Sequence, residues 1–231
     1  MLMHKEFASI YDEFTKYVDY NSWYKFLRKY IKKPDKILDI GCGTATITSM
    51  FFKDKFDVVG LDISEEMIKY AKIKNDKIKY VCLDIQKEYI QDKFKYITCN
   101  FDTVNYLEDF NKFISHCSKM QNEGGILIFD IVTEDIFDEI FESDIFLDEE
   151  ENYTAIWTHK KEKKNRHRID ISIFKKEKSN IYTRYDEHHK KYIYEMEEVI
   201  DGLNNNGYVL YDVAKNPKYG YSRIFVIAKK E

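Results

Sequence analysis

Three aspartates that lie at the ends of short apolar stretches are the residues best placed to do chemistry. Asp39 comes just before a Gly-x-Gly turn at Gly41–Gly43, and Asp62 and Asp84 end the next two stretches. Glycine accepts positive φ and has no Cβ, so such a turn brings backbone N–H groups close to a ligand at the start of a helix. An acid about 20 residues further on can accept hydrogen bonds from ribose hydroxyls. The pattern predicts a nucleotide-type cofactor at the carboxyl ends of neighbouring strands.

The hydrophobic pattern indicates which elements hold these aspartates. Apolar residues recur at helical spacing over 5–31, where Asn21–Ser22 is the expected cap of a second helix. Further on, apolar stretches of strand character alternate with helical stretches that begin near Ala45, Ser64 and Leu107. The predicted strands are Lys36–Ile40, Asp57–Leu61, Lys79–Leu83, Tyr96–Asn100 and Gly125–Ile131. This alternation predicts an α/β fold with a parallel sheet covered on both faces.

The pattern changes after residue 150, where strand-like stretches follow one another. They are Tyr153–Thr158, His167–Phe174 and Asn180–Tyr194, with charged turns expected between them. In the last stretch Glu187, His189 and Lys191 share one face and His188 and Lys190 the other, because strand side chains alternate. Either face could cover a site. The stretches predict an antiparallel insertion.

The end of the chain returns to the first pattern. A helix is predicted at 195–204, and a final hairpin at Tyr208–Val213 and Arg223–Lys229. The predicted division is therefore one domain made of 1–140 and 195–231, with an N-terminal helical lid, and an antiparallel insertion at 141–194.

Two classes of cofactor use a glycine turn of this kind. Dinucleotide sites prefer a third small residue where this chain has Thr46, and their pyrophosphate needs helix N-terminal donors rather than a nearby acid. Asp39 suits a cation better, such as the amino group or the sulfonium end of S-adenosylmethionine. The turn therefore favours S-adenosylmethionine over a nicotinamide dinucleotide, and an NAD(P)-dependent oxidoreductase is kept as an alternative.

At this point the chain resembles the class I S-adenosylmethionine-dependent methyltransferases over nearly its whole length. The closer likeness is to small bacterial members with an antiparallel insertion, similar to sugar N-methyltransferases and glycine N-methyltransferase-like enzymes. One departure is Ala45, where many relatives have a third glycine. The matching motifs are LDIGCGT at 38–44, VVGLDISEEMIKYAK at 58–72, YVCLDI at 80–85, ITCNFDTVNYL at 97–107, GGILIFDIVT at 124–133, LNNNGY at 203–208 and SRIFVIAKK at 222–230.

The resemblance implies a Rossmann-like, seven-stranded, mostly parallel sheet with an antiparallel last strand, and an antiparallel β insertion over the active site. It also implies a set of cofactor contacts, for which Met67, Cys42, Tyr11 and Tyr20 have plain packing roles as alternatives. The implied contacts are Asp39, Gly41, Cys42 and Gly43 at the methionine moiety, Asp62 at the ribose, Ile63, Met67, Asp84 and Ile85 at the adenine, Asn100 and Phe101 beside the methyl group, and Tyr11 and Tyr20 over the cofactor.

Methyl transfer is an in-line displacement in which the protein supplies orientation, and a general base is optional. The candidate catalytic residues are Asp102 and Tyr106, which follow the fourth strand, and His189 in the insertion, with its neighbour His188 as a further candidate for the base. His189 and Glu187 match an E-x-H element of the resembled subfamily. Asn105 could orient a substrate, and Arg223 could form an internal ion pair or contact the substrate.

Composition limits the acceptor and the partners. The 37 Lys and Arg against 41 Asp and Glu give a net charge of −4, which disfavours a nucleic-acid enzyme. The chain also has no Asn/Asp-Pro-Pro-Tyr/Phe motif after strand four and no Pro-Cys pair, which argues against DNA-base methylation. The expected acceptor is N or O of a small molecule. The alternatives are an RNA or protein substrate, which the basic run KKEKKNRHR keeps open, and a non-catalytic cofactor-binding module.

Other features predict a cytoplasmic protein without a metal or a membrane anchor. Four scattered cysteines form no C-x-x-C pair, no apolar run reaches the roughly 20 residues of a membrane span, and the N-terminus lacks a signal-peptide core. A monomer or a homodimer is expected. Aromatic residues make up 16% of the chain, through biased composition or an aromatic pocket. The residues expected around the sulfonium are Tyr11, Tyr20, Trp23, Phe101, Tyr106, Tyr192 and Tyr194.

Overall fold

A computed structural model describes residues 6–141, 145–178, 181–216, 218 and 220–231. Helices and strands alternate in its first part, and strands dominate after residue 145. The strands are β1 (Lys36–Ile40), β2 (Asp57–Asp62), β3 (Lys79–Cys82), β4 (Phe94–Cys99), β5 (Gln121–Val132), β6 (Ile145–Glu149), β7 (Tyr153–Lys163), β8 (Arg166–Lys176), β9 (Tyr182–Tyr192), β10 (Tyr208–Asn216) and β11 (Gly220–Lys230). The helices are α1 (Tyr11–Phe14), α2 (Tyr20–Leu27), α3 (Thr46–Lys53), α4 (Glu65–Lys74), α5 (Phe110–Met120), α6 (Asp135–Ile140) and α7 (Met196–Asn205).

The main sheet has seven strands in the order β10-β11-β5-β4-β1-β2-β3. The pairs among β1 to β5 are parallel, and β11 runs antiparallel to its neighbours. Side chains of β5 alternate between two hydrophobic cores, with Phe129 in the one that includes α5 and Ile128 in the one that includes α2 and α3. The predicted α/β class, with its mostly parallel sheet and antiparallel last strand, is confirmed.

The second sheet is antiparallel, with four strands in the order β6-β7-β8-β9. Ile169, Ile171 and Ile173 are buried in a third core, while Asp170 and Ser172 between them are partly exposed. The predicted alternation of this strand is therefore confirmed. The other side of the third core is formed by the N-terminal segment and α6. The division of the chain into 1–140 with 195–231 and 141–194 stays a prediction.

Several predicted boundaries were wrong for local reasons. The run predicted as a charged turn near 160–168 mostly continues the β7–β8 ladder, as in the pair Lys161 and His167, because lysine side chains can extend from a paired strand into water. The sequence patterns also missed β6 and α6. Asn180, the predicted start of the third insertion strand, lies outside the described residues.

The N-terminal segment is more broken than the helical spacing predicts. A single helical turn at Phe7–Ser9 comes before α1 and α2, and Lys5 lies outside the described residues. The cap of α2 is Asp19, whose carboxylate accepts a hydrogen bond from the Ser22 amide at 2.9 Å, rather than Asn21–Ser22. Ser64 caps α4 as predicted. Among the described residues, every helix is too short or too polar to span a lipid bilayer.

Candidate active site

The turn after β1 has backbone angles that favour glycine at two positions. Gly41 and Gly43 have φ of +68° and +53°, and Ala45, where the resembled family often has glycine, also has a left-handed φ of +66°. The Gly43 amide donates a hydrogen bond to Asp62 Oδ2 at 2.8 Å. The other oxygen of Asp62 accepts from the Ser64 amide at 2.9 Å, so the carboxylate is held between the turn and α4. Burial raises the pKa of Asp62.

Asp39 lies behind this turn rather than at its surface. Its carboxylate accepts hydrogen bonds from the hydroxyls of Thr48 at 2.6 Å and Thr98 at 2.9 Å, and from the Asn100 amide at 3.3 Å. Asn100 in turn accepts from the Trp23 indole at 3.0 Å, which ties α2 to the end of β4. Burial raises the pKa of Asp39 to about 6 and outweighs these hydrogen bonds.

The raised pKa of Asp39 predicts a pH dependence. Because its pKa rises from 3.8 to about 6 on folding, its contribution to stability is complete below pH 3.8 and is lost as the pH rises through 6. Asp39→Asn should therefore raise the free energy of unfolding by about 1–3 kcal/mol above pH 7 and leave it unchanged near pH 4. Urea unfolding at both pH values checks this, with exposed Asp57→Asn as the control. An equal effect of Asp39→Asn at both pH values would contradict it.

A cavity of about 860 Å³ opens at the carboxyl ends of the parallel strands. Its wall includes residues from the N-terminal segment, the strand ends and the insertion. Most of the residues assigned to the cofactor or to catalysis lie on it, and their roles stay predictions. They are Tyr11, Gly41, Gly43, Asp62, Ile63, Met67, Asp84, Ile85, Asn100, Phe101, Asp102 and Tyr106.

The remaining assigned residues, Tyr20, Asp39, Cys42 and His189, are not among the residues that line the cavity. Asp39 is bonded toward α3, and Cys42 packs against Gly60, where an added Cβ would lie 3.1 Å from its sulfur. Burial raises the pKa of Cys42 well above its usual range. Tyr20 packs edge-on against Phe101, with ring centroids 5.3 Å apart. Side chains at these positions can support the residues that line the cavity.

The end of β4 is strained and carries a buried charge cluster. Phe101 and Asp102 both have left-handed backbones, with φ of +59° and +51°, and the Asp102 amide donates to Asp130 Oδ2 at 2.9 Å. Asp102 accepts from Lys191 and, at 2.7 Å, from Arg223, which also bonds Asp130 at 2.9 Å. We call Asp102, Asp130, Lys191 and Arg223 the charge cluster. The ion pair considered for Arg223 is thus present.

The two carboxylates of the charge cluster titrate differently. Burial acts to raise the pKa of Asp102, but Lys191 and Arg223 outweigh it and lower that pKa. Burial raises the pKa of Asp130 to about 6 despite Arg223. Burial also lowers the pKa of Lys191, against the opposing effect of Asp102. Asp102 is therefore a weak base at neutral pH.

The inner face of β9 covers the charge cluster. Lys191 lies over the Tyr106 ring, 3.4 Å from its centroid, and His189 meets the same ring edge-on at 5.8 Å. Glu187 lies 3.0 Å from His189 Nε2, and its other oxygen accepts from the amides of Glu6 and Phe7. Of the two faces that the sequence allowed, the one with Glu187, His189 and Lys191 is buried. His189 lies behind Tyr106, not on the cavity wall.

Asn105 has a structural role. Its amide donates to the carbonyl oxygens of Tyr192 at 2.7 Å and Val132 at 3.3 Å, and its oxygen accepts from the Val132 amide at 2.9 Å. Its side chain is fully buried, so the suggested substrate contact was wrong. Instead, Asn105 fixes the insertion strand β9 to the end of β5.

Aromatic residues line much of the cavity, but some of the aromatic residues that were expected there lie elsewhere. Tyr192 and Tyr194 lie in the core around α5, and the Tyr194 hydroxyl donates to the Leu107 carbonyl, so their expected place at the sulfonium was wrong. Sequence reasoning missed Lys191 on the wall and Asp130 behind it. The alternation in β9 was the available signal for Lys191. It also missed the wall aromatics Phe137, Phe141, Phe146 and Trp157.

Comparisons with known proteins agree with this geometry. The family described as "Methyltransferase domain" matches residues 31–183. YqeM of Bacillus subtilis (strain 168), a candidate methyltransferase, is 27% identical over 99% of this chain and 98% of its own. A solved S-adenosylmethionine-dependent methyltransferase from Clostridium acetobutylicum superposes with a TM-score of 0.83 at 27% identity, over 97% of this chain and 98% of the other.

A more distant structure shares the fold alone. The sugar N-methyltransferase KedS8 from Streptoalloteichus sp. is 15% identical, with a TM-score of 0.74 over 91% of this chain and 86% of its own. The family match covers more than half of the chain, and it agrees with the strand order, the glycine turn and the cavity above it. This chain belongs to the methyltransferase domain family and has the class I fold of its S-adenosylmethionine-dependent members.

Proposed function

We propose that the protein transfers a methyl group from S-adenosylmethionine to N or O of a small molecule. The observation that carries the proposal is a single cavity with two sides. The glycine turn and Asp62 bound one side, and Asp102, Lys191 and Arg223 of the charge cluster bound the other, beyond the strained end of β4. Gly41 and Gly43 form a cradle without side chains, which suits close approach of the methionine moiety. Asp62 and Asp84 are acceptors suited to the ribose and the adenine.

The residues of the chain would position rather than transform the reactants. The cofactor supplies a methyl group on a positively charged sulfur, which needs no activation by the protein. Phe101, stacked on Trp23 with centroids 4.1 Å apart, would hold the acceptor side of the transfer path. Burial raises the pKa of Tyr106 far above neutrality, and that of Asp102 is lowered. Both shifts make these groups poorly suited to act as a general base at neutral pH, which favours an acceptor atom that is already nucleophilic.

Cofactor binding gives the sharpest test of this proposal. S-adenosylhomocysteine at about 100 times its Kd should raise the melting temperature by about 5–10 °C, because a ligand that binds only the folded state stabilises it. Asp62→Ala should abolish the shift, and exposed Asp57→Ala on the same strand should keep it. Circular dichroism confirms that the variants fold. No shift in the folded wild type would contradict the proposal.

Turnover separates the enzyme from a non-catalytic module that only binds the cofactor. Labelled methyl from S-adenosylmethionine should appear in at least one acceptor of an amine, phenol, acid and sugar panel. Family membership already removes the nicotinamide alternative. An RNA or protein substrate is less well supported, because α6 and the insertion contribute mostly apolar side chains to the cavity wall.

The cellular setting belongs to the same proposal. The four cysteines, Cys42, Cys82, Cys99 and Cys117, are free thiols, which suits a cytoplasmic location. We propose a monomer or a homodimer that acts without a metal. Size-exclusion chromatography with light scattering measures the oligomeric state, and activity retained in a chelator supports metal independence.

A further inference from the structure

The part of the cavity wall that comes from α6 and the insertion is apolar. It is formed by Phe137, Ile140, Phe141, Phe146, Trp157 and Ile169. The Trp157 ring is fixed by stacking on Phe14, with centroids 5.1 Å apart. A sugar in this region would lose hydrogen bonds to water and regain few of them from such walls. An alkyl or aryl group would gain by burial.

Polar chemistry on this side is concentrated where Lys191 meets Tyr106. Among the described residues, the Lys191 ammonium has one oxygen partner, Asp102, although an ammonium carries three donors. Each oxygen of Asp102 already faces a cation, one toward Lys191 and one toward Arg223. The Lys191 ammonium therefore has donors available for a ligand, whereas the Asp102 carboxylate is already paired with cations.

This arrangement distinguishes between acceptor atoms. A protonated amine cannot accept a hydrogen bond from Lys191, and both oxygens of Asp102 that could accept from the amine already accept from Lys191 and Arg223. An ionised oxygen would gain a charge-assisted hydrogen bond from Lys191. It would also need no general base, in agreement with the lowered pKa of Asp102.

We propose that the acceptor is an acidic oxygen, of a phenol or a carboxylic acid, on an apolar body, and that Lys191 binds this oxygen. The inference rests on the proposed methyl transfer and deepens it. In the step, a lone pair of the ionised oxygen forms the O–CH₃ bond while the CH₃–S bond breaks. The bonding electrons go to sulfur, which becomes a neutral thioether. A carboxylic acid is already ionised at neutral pH, whereas a phenol, with a pKa of about 10, first releases its proton to solvent.

Binding to the protein saturated with S-adenosylhomocysteine tests the class of acceptor. Calorimetric titration compares n-alkanoates and 4-alkylphenols with n-alkylamines of matched length and with glucosamine. We expect affinity for the acids or the phenols to rise about threefold to fourfold per methylene. Matched amines should bind at least tenfold more weakly. With labelled S-adenosylmethionine, a methyl ester identifies a carboxylic acid acceptor and a methyl ether a phenol.

Two variants measure separately what the Lys191 charge and the apolar wall contribute to binding. Lys191→Met should weaken binding of the anionic series about tenfold to hundredfold, while Lys190→Met, on the exposed face of the same strand, should not. Ile140→Asp should remove the dependence on chain length, with exposed Ile145→Asp as its control. If Lys191→Met fails to fold, the comparison of acids with amines in the wild type still decides.

The outcomes separate this proposal from the one on which it rests. Amines or glucosamine that bind as tightly as the matched acids would overturn the acceptor class. So would the absence of binding by every acid and phenol while S-adenosylhomocysteine binds. Failure of S-adenosylhomocysteine itself to bind would instead overturn the proposed function.

Discussion

Replacing Arg223 with methionine should lower the free energy of unfolding by about 3–5 kcal/mol, because it leaves buried carboxylates without their cation. Asp130 is fully buried, and Arg223 bonds both it and Asp102. Methionine keeps most of the side-chain volume, so the loss reports charge rather than a void. Urea unfolding at neutral pH measures the effect. Arg184→Met is the control, because the Arg184–Asp186 pair is exposed and worth little.

The loss of unfolding free energy caused by Arg223→Met should also be smaller at acidic pH. Burial already raises the pKa of Asp130 to about 6 with Arg223 present, and loss of the cation should raise it further. Near pH 5 the unpaired carboxyl is then neutral in the folded state, and most of its penalty disappears. A deficit that stays the same between pH 5 and pH 8 would show that Arg223 stabilises the fold by packing.

Gly41→Ala should cost about 2–5 kcal/mol of stability and remove cofactor binding. A Cβ at this position would lie 2.4 Å from Thr103 Cγ2, and its φ is +68°. The cost combines left-handed strain with overpacking. Thr103 cannot rotate away freely, because its hydroxyl donates to the Asn100 carbonyl at 2.8 Å. Chemical unfolding and the thermal shift with S-adenosylhomocysteine measure the two losses.

Gly124 is a control position that separates the cost of backbone strain from the cost of crowding by a neighbouring side chain. Gly124 has a similar φ of +63°, but the nearest atom to its added Cβ is the flexible Lys95 amine at 3.7 Å. Gly124→Ala should therefore cost only about 1 kcal/mol. Adding Thr103→Ala to Gly41→Ala should recover the crowding part of the loss. If Gly41→Ala and Gly124→Ala cost the same, the close approach of Thr103 has no energetic weight.

The main sheet and the cofactor side of the cavity could be predicted because their signals are local. A buried parallel strand is a short apolar run, and the acid at its end has to reach the carboxyl edge of the sheet. Asp62 and Asp84 lie there, at the cavity wall. Asp39 shows the limit of this logic. It is one residue short of the end of β1, so its side chain points toward α3 and Thr48.

The acceptor side could not be predicted in the same way. Lys191 and Arg223 meet Asp102 across 89 and 121 residues of chain. Contacts at such separations leave no periodic trace, and a lysine in an alternating strand reads equally well as a solvent-facing residue. The breaks in the N-terminal segment could not be predicted from the apolar spacing either. The hydroxyl of Thr15 bonds the Tyr11 carbonyl at 2.8 Å as α1 ends, although the apolar spacing continues past it.

The bond of Glu187 to the N-terminal segment has a consequence for biosynthesis. Its carboxylate accepts from the amides of Glu6 and Phe7, which come 181 and 180 residues earlier. At about 5–20 residues per second on the ribosome, the N-terminal segment waits roughly 9 to 36 seconds for this partner. Its apolar side chains lack part of their core until then, because Phe7 also packs in the core that includes Ile169 and Ile171 of the insertion. The contact between the N-terminal segment and β9 thus forms late in synthesis, and slow translation prolongs the period in which chaperones or proteases can reach that segment.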